Sequence, residues 1–392
     1  MDSADRAKPP GGQSSVDLLV VGGGIMGLWA TLKAGRRGLK TLLIDERSLA
    51  GGASGGLLGA LMSHTPDKWN EKKQFQFDAL LQLEDEVVRL EAETGLAAGY
   101  RRCGRLIPLP KDHLRPIALR YELDAKDRWR QTSRSFEWAV GDAGDIAGWP
   151  DAGFTKAGIV HDTFAARVSP RRLAAMLVSA IGRAASVSVR EDIGLEKLDP
   201  VAGFAELTDG ERLSFGHVIV AAGHRSFPLL GAGRGLEKPL GQPVKGQAAL
   251  IKADIDPDWP LLYLDGLYIV PHDDGTVAIG STSENSFGDP LSTDEQLDAL
   301  IASARQLAPV LADGLVVKRW AGLRPKAIGR DPMIGPDPEK PRIVALTGGF
   351  KVSFGLAHKL ADAALDAVEG RAFAVPESFR FESHLDLCSR KT

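Results

Sequence analysis

The most constraining feature of the chain is one run near its start. Val16–Val21 (VDLLVV) is apolar and of strand length, Gly22-Gly23-Gly24-Ile25-Met26-Gly27 follows, Ile25–Arg37 has helical spacing, and Thr41–Ile44 (TLLI) is a second apolar strand. A strand, a glycine turn, a helix and a strand within so short a stretch make the unit that builds a parallel sheet. The turn fits GxGxxG, with Asp45 at the end of the second strand. Glycines there permit a tight turn and let backbone N–H groups approach a pyrophosphate at the positive end of the helix, while the acid accepts hydrogen bonds from a ribose. Asp45 suits that last part, with Glu46 as the adjacent alternative. The run predicts a dinucleotide site and leaves FAD and NAD both open.

Further along, Glu71–Gly95 reads as a long amphipathic helix with a glycine stop, and Ser169-Pro170 as a helix start. His217–Ala222 reads as a buried strand before Gly223. Pro243–Gly280 is a meander of strands turned at Asp265-Gly266 and Asp274-Gly275. Ser292-x-x-Glu295 is a capping box opening a helix to Leu307. Ile343–Leu346 is a strand, and a helix runs from Ser353 to Val368. Tyr100–Pro150, rich in arginine with Trp129, Trp138 and Trp149, belongs to a different module, whose tryptophans read either as its core or as an interface. The expected fold is α/β, α+β in overall composition: a Rossmann-type dinucleotide domain with a discontinuous antiparallel-sheet substrate domain. The segments are a disordered lead (1–15), the first domain in three parts (16–95, 151–240, 319–375), the second in two (96–150, 241–318), and a tail (376–392).

The net charge of −3, with no block of either sign, gives no footprint for nucleic acid. The two cysteines, Cys103 and Cys388, have no metal-ligand spacing and form no disulfide framework, so no metal is expected. No apolar stretch is long enough to span a membrane, and the polar start lacks a signal pattern, which together point to a cytoplasmic protein.

Four motifs then occur in a fixed order: the glycine fingerprint, Gly51-Gly52-Ala53-Ser54-Gly55-Gly56, Val218-Ile-Val-Ala-Ala-Gly223, and Trp320-Ala-Gly-Leu-Arg-Pro325 with Pro332-Met-Ile-Gly-Pro336 and Gly348-Gly-Phe-Lys351. With these the chain resembles the D-amino acid oxidase, glycine oxidase and sarcosine oxidase family of FAD enzymes from Val16 to about Gly370. The resemblance implies FAD held by Gly22, Gly24, Ile25, Met26, Gly27, Asp45, Glu46, Arg47, Ala53, Ser54, Gly55, Val189, Ala222, Gly223, Gly348, Gly349, Phe350 and Lys351. It implies noncovalent FAD, because Ala321 and Gly322 stand where sarcosine oxidases carry a flavin-linked cysteine. It further implies a small amine bearing a carboxylate, with Arg324 as carboxylate clamp, Tyr268 as a second donor and Lys351 as a further cation. His64 reads either as part of the substrate site or as an ordinary loop histidine. Hydride transfer to the flavin would give an imine that water hydrolyses, with oxygen or a quinone as acceptor. A macromolecular amine, such as a modified tRNA nucleoside or a peptide side chain, a monooxygenase role, or a place as one subunit of a larger dehydrogenase are the alternatives. A homo-oligomer or a partner protein stays open.

Overall fold

A computed structural model describes residues 14–130 and 134–389. Two large sheets organise it. In the first, Val187–Arg190, Thr41–Ile44, Ser14–Val21, Arg212–Val220 and Ile343–Thr347 lie side by side and parallel, and Met333–Pro336 closes the edge antiparallel. Leu195–Asp199 and Phe204–Leu207 hang antiparallel from Arg212–Val220. The continuous apolar runs of these strands follow from burial on both faces. Leu18, Val20 and Leu43 face a layer formed by the helices Ile25–Arg36, Glu71–Thr94, Pro170–Ile181 and Ser353–Val368. Leu19, Val21 and Leu42 face the other way, onto Phe227, Phe381 and Cys388.

The second sheet runs in the order Leu315–Ala327, Gly241–Lys252, Thr276–Gly280, Leu267–Pro271, Leu261–Leu264, Arg105–Pro108, Ile159–Asp162 and Trp138–Gly141. All neighbours are antiparallel except Arg105–Pro108 beside Leu261–Leu264. Its strands alternate with period two. Ile251, Ile269 and Ile279 pack under the helix Glu295–Leu307, through Leu297, Ile301 and Ala304. Tyr263, Tyr268 and Trp320 instead line a large cavity. No helix among the described residues is long and apolar enough to cross a membrane.

Several expectations are corrected. Residues 1–13 of the lead lie outside the described residues, while Ser14 and Ser15 already belong to the first strand. Of the expected tail 376–392, the described residues 376–389 are no mere tail. Phe381–Ser389 is a helix, and Phe381, His384 and Cys388, on one helical stripe, bury against the first sheet. Ile159–Asp162 lies past the expected boundary at 150 yet joins the second sheet, and Leu315–Ala327 runs across the boundary at 318. The helix expected from Ser292 begins at Glu295 with Asp294 as its cap, because Asp294 also accepts from the buried Lys245 and Gln247. Trp129, Trp138 and Trp149 are all core.

Candidate active site

The turn after the first strand is built for close approach of backbone. Gly22 has φ +106°, and a Cβ there would lie 2.6 Å from the Ala221 carbonyl oxygen. A Cβ on Gly27 would lie 1.8 Å from the Gly22 carbonyl oxygen, so the helix can start only this close to the strand with glycine at both places. The helix Ile25–Arg36 has Gly24 as its N-cap, no capping side chain of its own and no acid in its first turn. The positive end of its dipole is therefore left to an external anion. Ser54 of the small-residue loop comes in from the side, its Oγ accepting the Ile25 N–H at 2.8 Å. Asp45 accepts the Gly23 N–H at 2.6 Å and the Arg47 N–H at 2.9 Å, which leaves one lone pair on each oxygen for a ligand. Glu46 is ion-paired with Arg225.

One cavity of about 910 Å³ runs from this turn to the face of the second sheet. Gly22, Gly24, Ile25, Met26, Asp45, Glu46, Arg47, Ala53 and Ser54 line it, with Ala222, Gly223, Phe350, Lys351, Tyr268, Arg324 and His64. Five expected cofactor residues do not. Gly27 sits behind the turn, and Gly55 meets the Ala50 carbonyl. Gly348 and Gly349 form the turn that packs on Met26 and Ala327 and brings Phe350 to the wall. Val189 is 38% exposed on the edge strand Val187–Arg190, away from the cavity; Ile193, Gly194 and Leu195 after it line the wall instead.

At the sheet end of the cavity lies Arg324, opposite Val244 in the strand pair. Its side chain crosses Gly246, where a Cβ would sit 1.9 Å from Nη1. Nη1 donates to the Thr282 carbonyl at 3.1 Å. Behind it Thr282, Gln247 and Lys245 hold Glu284 in a buried network, but no carboxylate among the described residues is ion-paired with Arg324. Burial pulls its guanidinium down to about 10, against the pull of Tyr268 and Glu284. It stays charged at neutral pH. Burial, then Tyr263, pushes the Tyr268 hydroxyl up to about 12, so it is a donor. Lys351 is lowered by burial and by Arg324, and His64 by burial and by Lys73 and Lys72. The sheet end of the cavity thus holds Arg324 and Lys351 with a neutral phenol beside them, and no carboxylate among the described residues is ion-paired with either cation. Sequence reasoning missed Tyr263, Trp320 and Arg105 on this wall. An arginine immediately before the apolar run Leu106–Leu109 was a signal for the last.

Gly246 gives a direct check on the placement of Arg324. Gly246→Ala displaces the mobile end of that side chain and not backbone, so the fold is expected to keep its melting temperature. Loss of part of a charge-assisted contact is expected to raise KM for a carboxylate-bearing substrate about 10-fold, measured by steady-state kinetics against thermal unfolding.

A glycine cradle at a helix N-terminus, an acid at the neighbouring strand end, and a cavity continuing onto an antiparallel sheet define a dinucleotide-dependent redox protein, with residues that fit FAD. The chain belongs to the DAO family of FAD dependent oxidoreductases, whose family model matches residues 17–363. It is an FAD-dependent oxidoreductase. Over 376 residues it is 31% identical to the glycine oxidase of Pseudomonas aeruginosa, covering 90% of this chain and 95% of that protein. The glycine oxidase of Pseudomonas putida is 30% identical over 349 residues, 83% of this chain and 86% of that one. Among solved structures, the glycine oxidase of Geobacillus kaustophilus superposes with a TM-score of 0.82 at 21% identity, covering 94% of this chain and 98% of its own.

Proposed function

We propose that the chain oxidises the C–N bond of a small amine bearing a carboxylate, of the glycine, sarcosine or D-amino acid type. The observation that carries this reading is Arg324, a deeply set guanidinium with no carboxylate among the described residues paired to it. Its planar fork meets a carboxylate with two parallel hydrogen bonds. Tyr268 donates a further hydrogen bond to the same carboxylate, and Lys351 adds a second positive charge. Anchored there, the amine presents its α C–H toward the nucleotide-lined part of the cavity. The bound flavin, when present, supplies the two-electron acceptor. The resulting imine leaves for water to hydrolyse. His64, held neutral near pH 7 by burial and by Lys73 and Lys72, adds no third charge.

Noncovalent FAD agrees with Ala321 and Gly322 on the wall and with both cysteines lying elsewhere. The glycine oxidases named above favour the same substrate class. Their names also favour oxygen as the acceptor over a quinone.

The test is product analysis with purified holoenzyme in air. Glycine is expected to give glyoxylate and ammonia, sarcosine glyoxylate and methylamine, each with one hydrogen peroxide. Absence of a carbonyl product from every carboxylate-bearing amine would rule the reading out. Tyr268→Phe removes one hydrogen bond to a charged group, and kcat/KM is expected to fall about 10- to 30-fold with FAD content unchanged.

A further inference from the structure

The cavity wall carries a second guanidinium that the reading above does not use. Arg105 opens the strand Arg105–Pro108, on the far side of Leu261–Leu264 and Leu267–Pro271 from Arg324, and it lines the same cavity. It is 4% exposed. Its Nη2 is tied to Asp162 at 2.5 Å, and Asp162 is itself fixed by accepting the Phe164 and Ala165 N–H groups at 2.8 and 3.1 Å. The rings of Trp138 and Tyr263 each lie 5.8 Å from the guanidinium carbon. The group is therefore rigid.

Among the described residues, only one of its donor atoms has an oxygen partner. Nη1 meets just the Met62 thioether at 3.2 Å, a weak acceptor on the cavity wall. Nε is fully buried with no hydrogen-bond partner among the described residues. A buried donor left unpaired is costly, and a thioether is a poor substitute for an oxygen acceptor on Nη1. Tyr268 stands between the two arginines, in the field of both, each opposing the rise that burial imposes on its hydroxyl.

We propose that Arg105 is a second acid-recognising group of the substrate pocket, so that the preferred substrate is an amine with two acidic groups, one on Arg324 and the other on Nη1 of Arg105, in place of the Met62 thioether. The proposal rests on the assignment of Arg324 above and narrows it from a one-carboxylate amine to an amino dicarboxylate. Asp162 acts as a positioning residue: it holds Nη2 and leaves Nη1 to the ligand.

The experiment compares sarcosine with iminodiacetate, which adds one carboxylate, in anaerobic reduction of the holoenzyme. In parallel, acetate and malonate, which cannot be oxidised, are titrated while following the flavin absorbance band. Wild type is expected to favour iminodiacetate over sarcosine by 10-fold or more in the second-order reduction constant. Arg105→Met combined with Asp162→Asn, which leaves no buried charge unpaired, is expected to lose about 30-fold on iminodiacetate and malonate and less than 3-fold on sarcosine and acetate. Arg105→Lys keeps the charge but not the fork and is expected to fall between, which covers the case in which the double variant does not fold. A wild type with no preference for the second carboxylate, or a preference that survives both variants, overturns the proposal. If neither amine reduces the flavin, the substrate class of the preceding section fails on its own, and the acetate and malonate titrations still decide Arg105.

Discussion

Arg324→Met is expected to lower kcat/KM for a carboxylate-bearing amine about 10³-fold while leaving bound FAD in place. Truncating one partner of a desolvated, hydrogen-bonded charge pair costs about 2–5 kcal/mol, and a thousandfold loss corresponds to about 4. Among the described residues the guanidinium makes a single hydrogen bond, to the Thr282 carbonyl, so little of the fold depends on it. Methionine keeps most of the stem's volume over Gly246. The loss is expected mainly in KM if the clamp binds ground and transition states alike, with kcat falling too where it aims the α C–H. Lys351 does not substitute, because its ammonium approaches from another element and lacks the fork. Steady-state kinetics with an absorbance ratio for FAD content separates the two effects. A variant that keeps wild-type kcat/KM would show that the carboxylate binds elsewhere.

Gly27→Val has the second large effect. A Cβ at that position would lie 1.8 Å from the Gly22 carbonyl oxygen, and the nearest atoms are backbone, which cannot move aside as a side-chain end can. The first helix must back away from the strand, and its N-terminus leaves the place where the diphosphate sits. FAD affinity is expected to fall at least 100-fold and the protein to purify colourless. Overpacking on this scale costs typically about 1–3 kcal/mol of stability as well. The ratio of flavin to protein absorbance before and after adding excess FAD reads the first effect, and thermal unfolding reads the second. A yellow variant with normal stability would contradict the close contact.

Much of this was legible in the chain because the decisive interactions are local. The strand–turn–helix–strand of residues 16–45 is dictated by apolar runs and by glycines whose neighbours are close in sequence. The helix Ser353–Val368 and the meander around Asp265-Gly266 and Asp274-Gly275 likewise carry their own periodicity and turn residues. Distant partners decided the rest. Asp294 displaced Ser292 as a cap because Lys245 and Gln247, on a strand remote in sequence, reach its carboxylate. The helix Phe381–Ser389 is short and mixed in character, and the wall it buries against exists only once the first sheet is assembled. Val189 is implied as a cofactor contact by the family resemblance, but the cavity wall passes to residues 193–195 after its strand ends.

The site divides the same way. Asp45 and Ser54 could be placed near the nucleotide from sequence, yet their bonds to Gly23 and Ile25 also make them braces of the turn. Arg324 could be picked out by its motif, whereas its lack of an ion-paired acid among the described residues depends on where Glu284 is held by Thr282 and Gln247. Arg105 comes to the cavity only through the parallel pairing of its strand with Leu261–Leu264, which no local pattern specifies.

The claim at the centre of this account is that a carboxylate-bearing amine binds on Arg324 and gives up two electrons to the flavin. Stopped-flow mixing of the oxidised holoenzyme with glycine, sarcosine, iminodiacetate and D-amino acids, under argon, reads that step alone. The expected result is bleaching of the flavin band by at least one of them, saturable in amine concentration, with about a thousandfold lower second-order constant in Arg324→Met. A flavin that stays oxidised with every carboxylate-bearing amine, or one bleached equally well in Arg324→Met, would contradict the account.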